Sequence, residues 1–585
     1  MVMTSATDPI ENPERADFPI KSPRNAIVKE RFTLTETSIA VGLFLALLAL
    51  KPFYVTNQPW DSDEPQHLHV VWAWVNGMLP YKDVFDNHAP LFQALSAPIF
   101  ALFGERADIV TAMRWAITPI AVLVLLMTYR LGRRLFSRRV ALWGTVLAAC
   151  FPDLYSKLNE YRPDLLWAAV WLVLLAILTG GKLTPRRLFW GGFVLGIGFA
   201  ISMKTSFLLM TLLLAGTIVW LVRPMIPELR SRPQEAARLF YFIAPVIGAL
   251  IVPLAVAAFF AWKGALGQMY YCVIIHNITY GANQWSLFLH RVPDLRFWLF
   301  IPMIAGGIWL AKAVANRDIA LQRLFFMSVT GLYCPLLFGF WALISKQDFL
   351  SFFPIFILVL TSPLVGISEW IRSKTALPAY LLPAFIALSE LSWMVSARPP
   401  LKPTNQTNLA IVSDALKLTH PGETVLDAKG QTIYRPRPFY YVFEQITREK
   451  VERGELRDDA PERLTANRTP VVVSSNWLAA ATGQFVSQNY VPVGSVLVLG
   501  KKIFPDSDGH VAFDVVIPAK YTVIGANGLV TGTLDGIRLN GSRNLSPGPH
   551  DLVLAVPNAP VFVIWSRAFE KGFSPFGSSQ VKMTP

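Results

Sequence analysis

Two adjacent carboxylates, Asp63-Glu64, follow the first long apolar run of the chain. The same loop holds Asp61, His67, His69, Asp83, Asp86 and His88. Arg162, Asp164, Lys204, His276, His290, Arg291, Lys346 and Asp348 recur at the edges of later apolar runs. A carboxylate can serve as a general base, and fixed cations in a dry site stabilise developing negative charge. Ionisable groups at membrane depth are costly and are usually functional or paired. Plainer readings stand beside these. Asp61 and Asp63 can cap a helix, with a cap the preferred reading for Asp61. Lys204 can snorkel, Arg162 and Asp164 can pair only with each other, and Lys346 can be an ordinary loop lysine. His67-x-His69 matches no strong zinc spacing and reads as interfacial or structural.

The elements that must position these residues are membrane helices. Hydrophobic residues make up 53% and charged residues 16% of the chain, where soluble proteins carry about 25% charged residues. The deficit is confined to residues 37–397. Within them, runs of about twenty apolar residues predict about eleven spans, beginning near Thr37, Ile109, Val140, Asp164, Leu188, Phe207, Leu239, Phe297, Leu324, Phe349 and Ala376. The shorter stretch 90–103 reads as a helix at the membrane surface. Arg130, Arg133, Arg134, Arg138 and Arg139 fall in one loop, and basic residues recur in every second loop thereafter: Lys182 to Arg187, Arg223 to Arg238, Lys312 to Arg323, Arg372 and Lys374. Those loops should be cytoplasmic, with residues 1–36 as a cytoplasmic tail. The net charge of +14 then belongs to topology, and nothing in the motifs calls for nucleic acid. Cys150, Cys272 and Cys334 form no pairable pattern.

The ordered elements of the membrane half resemble the GT-C membrane glycosyltransferases, in particular the branch of lipid A aminoarabinose transferases and protein O-mannosyltransferases. Asp63-Glu64 matches the first-loop Asp-Glu of that family. His88-Ala89-Pro90-Leu91 matches its Lys-Pro-Pro-Leu, with His for Lys and Ala for the first Pro. Asp164 in Tyr161-Arg-Pro-Asp matches its acidic residue at the fourth span, and Lys204 its lysine near the fifth, without the following Gly. Lys346 to Pro354 matches its late Lys-Tyr-Pro element, with Phe352 near the Tyr position. The resemblance covers residues 37–396.

It implies transfer of a sugar from a polyprenyl-phosphate donor to an exported lipid, glycan or protein, with inversion of the anomeric centre. Asp63 is then the candidate base. Glu64 would raise its pKa by repulsion or share a metal or a basic partner with it. His88, Arg162, Lys204 and Lys346 are the candidate contacts to the donor phosphate, and Asp61, Asp86 and Asp164 are further site candidates. No cofactor is firmly called for; a divalent cation stays open. The alternatives are a transporter or flippase of lipid-linked sugars and an inactive scaffold. Internal repeats expected of many transporters are not found.

Beyond residue 398 the chain reads as a soluble domain outside the cytoplasm, which is the periplasm if the membrane is a bacterial inner membrane. Residues 398–500 read as a mixed α/β region, with strands at 471–474 and 496–499. Residues 501–585 read as a small β-sandwich, with strands at 513–517, 521–524, 532–534 and 552–556. Tight hairpins are expected at Asp535-Gly536 and Asn540-Gly541. The long loop 263–294, with Tyr270, Tyr271, Tyr280 and Trp285, reads as a lid or an interface belt.

Overall fold

The computed structural model describes residues 32–225, 238–278, 290, 292–312, 316–341, 343–556 and 560–576. Most of the expected N-terminal tail lies outside these residues, as do Arg230, Arg232, Tyr280, Trp285 and Arg291.

The apolar runs become helices where a cap or a proline starts them. Thr33 opens Leu34–Asn57 by accepting the Glu36 N–H at 3.0 Å. Ser137 and Thr184 likewise open Arg138–Cys150 and Pro185–Ile201. Each serves a backbone donor that has no partner within the helix. Among the described residues, six helices are long and apolar enough to cross a membrane: Leu34–Asn57, Ile109–Leu135, Thr205–Met225, Phe240–Trp262, Arg317–Phe340 and Phe353–Lys374. The other expected spans are helices of 13 to 17 residues: Arg138–Cys150, Pro163–Thr179, Pro185–Ile201, Phe300–Lys312 and Leu381–Ala397. They fall short of the about twenty residues of a full crossing. The stretch 90–103 forms Leu91–Phe103, with Phe92, Gln93, Ser96 and Phe100 buried and Leu95, Ile99 and Leu102 exposed.

Small residues let two helices approach backbone to backbone. A Cβ on Gly196 would lie 2.6 Å from the Ala249 carbonyl oxygen. Gly192 sits still more tightly on Pro245, and Gly248 on Phe189. Close packing of this kind is a main source of helix association where no water is available to be displaced.

The tail builds one core around two sheets. The spatial order of the larger sheet is Val425–Leu426, Val471–Val472, Val496–Ile503, Val561–Trp565, Ala519–Gly525, Arg543–Leu545. The first pair is parallel and the rest of that path is antiparallel. Strand Val496–Ile503 passes through residue 500 and pairs with Val561–Trp565, Lys501 opposite Val563. The regions expected on either side of residue 500 therefore share a sheet and one hydrophobic core. The smaller sheet runs His510–Val515, Gly548–Leu554, Gly532–Leu534, Ile537–Arg538. Its hairpin turns at Asp535-Gly536, both with positive φ (51° and 73°), as a type I′ turn requires. Asn540-Gly541 is a bend that carries the chain from one sheet to the other, because Arg543–Leu545 pairs in the larger sheet.

The tail is fastened to the membrane half by many polar contacts. Thr404 N–H donates to Asn57 O at 3.1 Å, and Tyr54 OH donates to Arg398 O at 2.8 Å. Arg435 pairs with Glu105 at 2.7 Å, and His69 Nδ1 lies 2.9 Å from Ile433 O.

Candidate active site

A cavity of about 670 Å³ opens where helix ends of the membrane half meet the tail. Asp63, His88, Arg162, Asp164 and Lys204 line it from the membrane half, and Lys429 from the tail. Local sequence explains each placement. Asp63 is the first residue of the helix Asp63–Val75. Pro163 starts the helix Pro163–Thr179 and holds Arg162 before it in an extended conformation (φ −143°, ψ 148°), as the residue before proline prefers. Lys204 lies in the break between Pro185–Ile201 and Thr205–Val222.

The charges form one chain. Arg162 Nη1 contacts Asp61 and lies 2.7 Å from Asp63 Oδ2, and its Nε lies 3.1 Å from Asp164. Lys204 Nζ lies 3.0 Å from Asp164 and also pairs with Asp348. Lys429 Nζ donates to Asp63 Oδ1. Asp348 closes a capping box on the turn Lys346–Phe349, its carboxylate accepting the Ser345 N–H at 2.7 Å. Burial alone would raise the Asp63 carboxyl; the Arg162 guanidinium and the Lys429 ammonium outweigh it and hold the group well below the usual carboxylate range. Burial would lower Arg162 and Lys204, and the carboxylates around each keep both above their ordinary values. Both remain charged at neutral pH.

The remaining candidates divide. His88 lines the cavity, and its Nδ1 lies 2.9 Å from the buried Asp86, which also accepts from Gln93 at 3.1 Å. Asp86 thus orients His88 from behind the wall. Asp61 accepts the Asp63 N–H at 3.1 Å, a local cap-like bond, and joins Arg162 and Lys157 besides. Glu64 points away from the cavity. It is fully buried, chelates Arg114 (2.8 and 2.5 Å) and accepts the Tyr161 N–H at 2.7 Å. Neighbouring residues of a helix do not share a face, so Asp63 and Glu64 separate. The expected upward push of Glu64 on Asp63 is replaced by the downward pull of the two cations. Lys346 is exposed and bonds Asp153 at 2.9 Å, outside the cavity wall. His67 is buried against His88, ring centroids 4.5 Å apart. From the loop 263–294, Asn277 reaches the cavity, and the buried His276 bonds Glu444 of the tail at 3.1 Å.

No group of three or more His, Cys, Asp or Glu side chains suited to a metal occurs among the described residues. Asp61, Asp63, Asp164 and Asp348 each face a lysine or arginine. That donor set is already balanced by side-chain cations and does not fit a divalent ion without displacing them.

Comparison with known proteins gives three findings. Residues 87–229 match the family Dolichyl-phosphate-mannose-protein mannosyltransferase. No curated protein sequence matches the chain. The fold is similar to crystal structures of ArnT from Cupriavidus metallidurans. In the apo state the TM-score is 0.54 at 11% identity, covering 80% of this chain and 98% of that one. In the structure bound to undecaprenyl phosphate the values are 0.52, 13%, 79% and 98%. The resemblance to GT-C glycosyltransferases drawn from the sequence is borne out by the family match and by this fold. The chain is a multi-pass membrane protein of that architecture, with a sheet-containing C-terminal domain.

Proposed function

We propose that this GT-C chain is a glycosyltransferase that moves one sugar from a polyprenyl-phosphate donor to an exported lipid, glycan or protein acceptor, with inversion. One observation carries the reading: the carboxylate of Asp63, at the start of a helix, shares one cavity with the cations Arg162, Lys204 and Lys429. The partial match to a mannosyltransferase family and a fold like that of ArnT, which has been crystallised with undecaprenyl phosphate, support it.

In this reaction the acceptor hydroxyl attacks the anomeric carbon from the face opposite the phosphate. Its proton passes to an Asp63 oxygen. The bond from the anomeric carbon to the phosphate oxygen breaks, and its electron pair leaves with the polyprenyl phosphate, which gains one negative charge. Arg162 and Lys204, with His88, line the same cavity and would meet that charge. In a closed site such fixed charges need no reorganisation as the reaction proceeds. No step calls for a metal ion. Charges gathered at helix ends along one cavity fit transfer at a surface better than carriage through broken midplane helices.

The test is transfer by the purified protein in lipid nanodiscs, supplied with polyprenyl-phosphate sugars and candidate acceptors. Asp63→Asn keeps the shape and loses the base; transfer should fall by about 10²–10⁴ while binding of polyprenyl phosphate persists. A near-parental transfer rate in Asp63→Asn would remove Asp63 as the base.

A further inference from the structure

Both oxygens of Asp63 are occupied. Oδ2 meets Arg162 at 2.7 Å and Oδ1 accepts from Lys429. A carboxylate with a cation on each oxygen keeps other lone pairs, but its basicity is depressed. Withdrawal of one cation would leave an oxygen open to an acceptor hydroxyl and restore part of that basicity. Arg162 is locked: its side chain is 4% exposed and touches Asp61, Asp63 and Asp164 together. Lys429 is 19% exposed, sits on a flexible four-carbon stem, and among the described residues it donates to Asp63 and, at 3.5 Å, to Ser62 Oγ.

The backbone that carries Lys429 is, by contrast, fixed. Buried Asp427 accepts the Gly430 N–H (2.6 Å), the Thr432 N–H (2.9 Å) and the Thr432 hydroxyl (2.8 Å), and pairs with Arg437 at 3.1 Å. Gly430 has φ +75° and lies against His69, where a Cβ would come within 2.8 Å of the histidine Cβ. Only glycine suits that combination of positive φ and close approach. The loop is thus seated on the helix Asp63–Val75, and the lysine head alone is free to turn within the cavity.

We propose that Lys429 is a movable cation shared between Asp63 and the donor phosphate. In the empty site it holds Asp63. When a lipid-linked donor enters, the ammonium turns to the phosphate, and Asp63 Oδ1 is released to the acceptor hydroxyl. The tail domain is then part of the active site. This rests on the glycosyltransferase reading above, and the experiment separates the two.

Full-length protein in nanodiscs is compared with Lys429→Met and Lys429→Arg. The first readout is binding of undecaprenyl phosphate. The Met variant should bind about tenfold more weakly, the weight of one charge-assisted hydrogen bond, and the Arg variant within about threefold of the parent. The second readout is the pH profile of kcat/KM for the donor, which reports the donor-free enzyme in which Lys429 still holds Asp63. Asp63 is faced by Arg162, Asp61, Asp164, His67 and His88 from the membrane half, and by Lys429, with Glu444 nearby, from the tail. Loss of one cation lets the Asp63 carboxyl rise, so the acid limb should move to higher pH in Lys429→Met and stay in place in Lys429→Arg. Undiminished binding with an unmoved acid limb in Lys429→Met overturns the proposal. Equal loss in both variants also overturns it, because restored charge should restore function. If the parent transfers no sugar, the glycosyltransferase reading fails, and the binding comparison alone decides whether Lys429 meets a phosphate.

Discussion

Glu160 stands two residues before Arg162 and is charged in the unfolded chain, yet it is buried here beside other acids. It accepts from Gln58 at 3.2 Å and from Lys157 at 2.7 Å. Burial pushes its carboxyl up to about 7; Lys157 opposes the shift, and Glu64 and Asp61 add to it. The folded state therefore holds the proton more tightly than the unfolded chain between pH 4.5, its ordinary value, and about 7. Stability contributed by the protonated form is fully present below that window and is lost as pH rises through it. Glu160→Gln mimics the protonated acid. Its melting temperature should exceed the parent's by a few degrees near pH 8 and match it near pH 4, below the window. Equal melting at both values would mean that Glu160 is charged without cost. At this scale the sequence was informative about residue type and less so about partner. Asp63, Arg162, Asp164 and Lys204 were visible as charges on the rims of apolar runs. Glu64 is turned to Arg114 and the Tyr161 N–H instead of the cavity, because adjacency in sequence is not adjacency on a helix face. On the turn Lys346–Phe349 the sequence offers Lys346 as the candidate, whereas Asp348, two positions on, is the group that meets Lys204.

The site charges sit at the ends of elements: Asp63 opens one helix, Arg162 precedes another, Lys204 fills a break and Asp348 closes a capping box. Their alignment depends on helices that cannot slide. The seam between Pro185–Ile201 and Arg238–Trp262 fixes the element that ends just before Lys204. Gly192→Leu would drive a side chain into the Pro245 backbone, an overpacking that costs on the order of 1–3 kcal/mol. The variant should melt lower and lose transfer, while Gly216→Leu, at a helical glycine with open space around it, should keep both. Thermal melts and transfer assays in parallel check this, and a Gly192→Leu protein with parental stability would refute the seam as a fixed contact. Apolar period and turn residues made the helices and the tail strands legible. Pairing was not: Val496–Ile503 joins strands drawn from both sides of residue 500, and strand partners distant in sequence leave no local trace. Lys429 was missed for the same reason, being 366 residues from Asp63 in a domain with no catalytic pattern. Its one local signal is the Asp427-Ala-Lys-Gly turn, with an acid to bind the loop and a glycine to fit it to a neighbour.

On the scale of the molecule, two sets of loops gather at two separate ends. The basic set is knitted together: Arg139 pairs with Glu36 at 2.9 Å and Glu369 at 3.0 Å, Arg323 donates to Leu135 O, and Gln322 donates to Gly181 O at 3.0 Å. The other set carries the cavity and the tail, whose contacts run to Tyr54, Asn57, His69 and Glu105. Positive loops are retained in the cytoplasm, so the cavity should open on the opposite side, where an exported acceptor would be met. That orientation is tested by reporters that work on one side only. A fusion at Arg134 should be active in the cytoplasm, and a fusion at Ser396 only outside it. A shared side for both fusions would require an even number of crossings between Arg134 and Ser396. The tail, which supplies Lys429 to the cavity, would then lie on the side of the basic loops, and the cavity would face the cytoplasm, away from any exported acceptor; transfer to such an acceptor could not then proceed from Asp63.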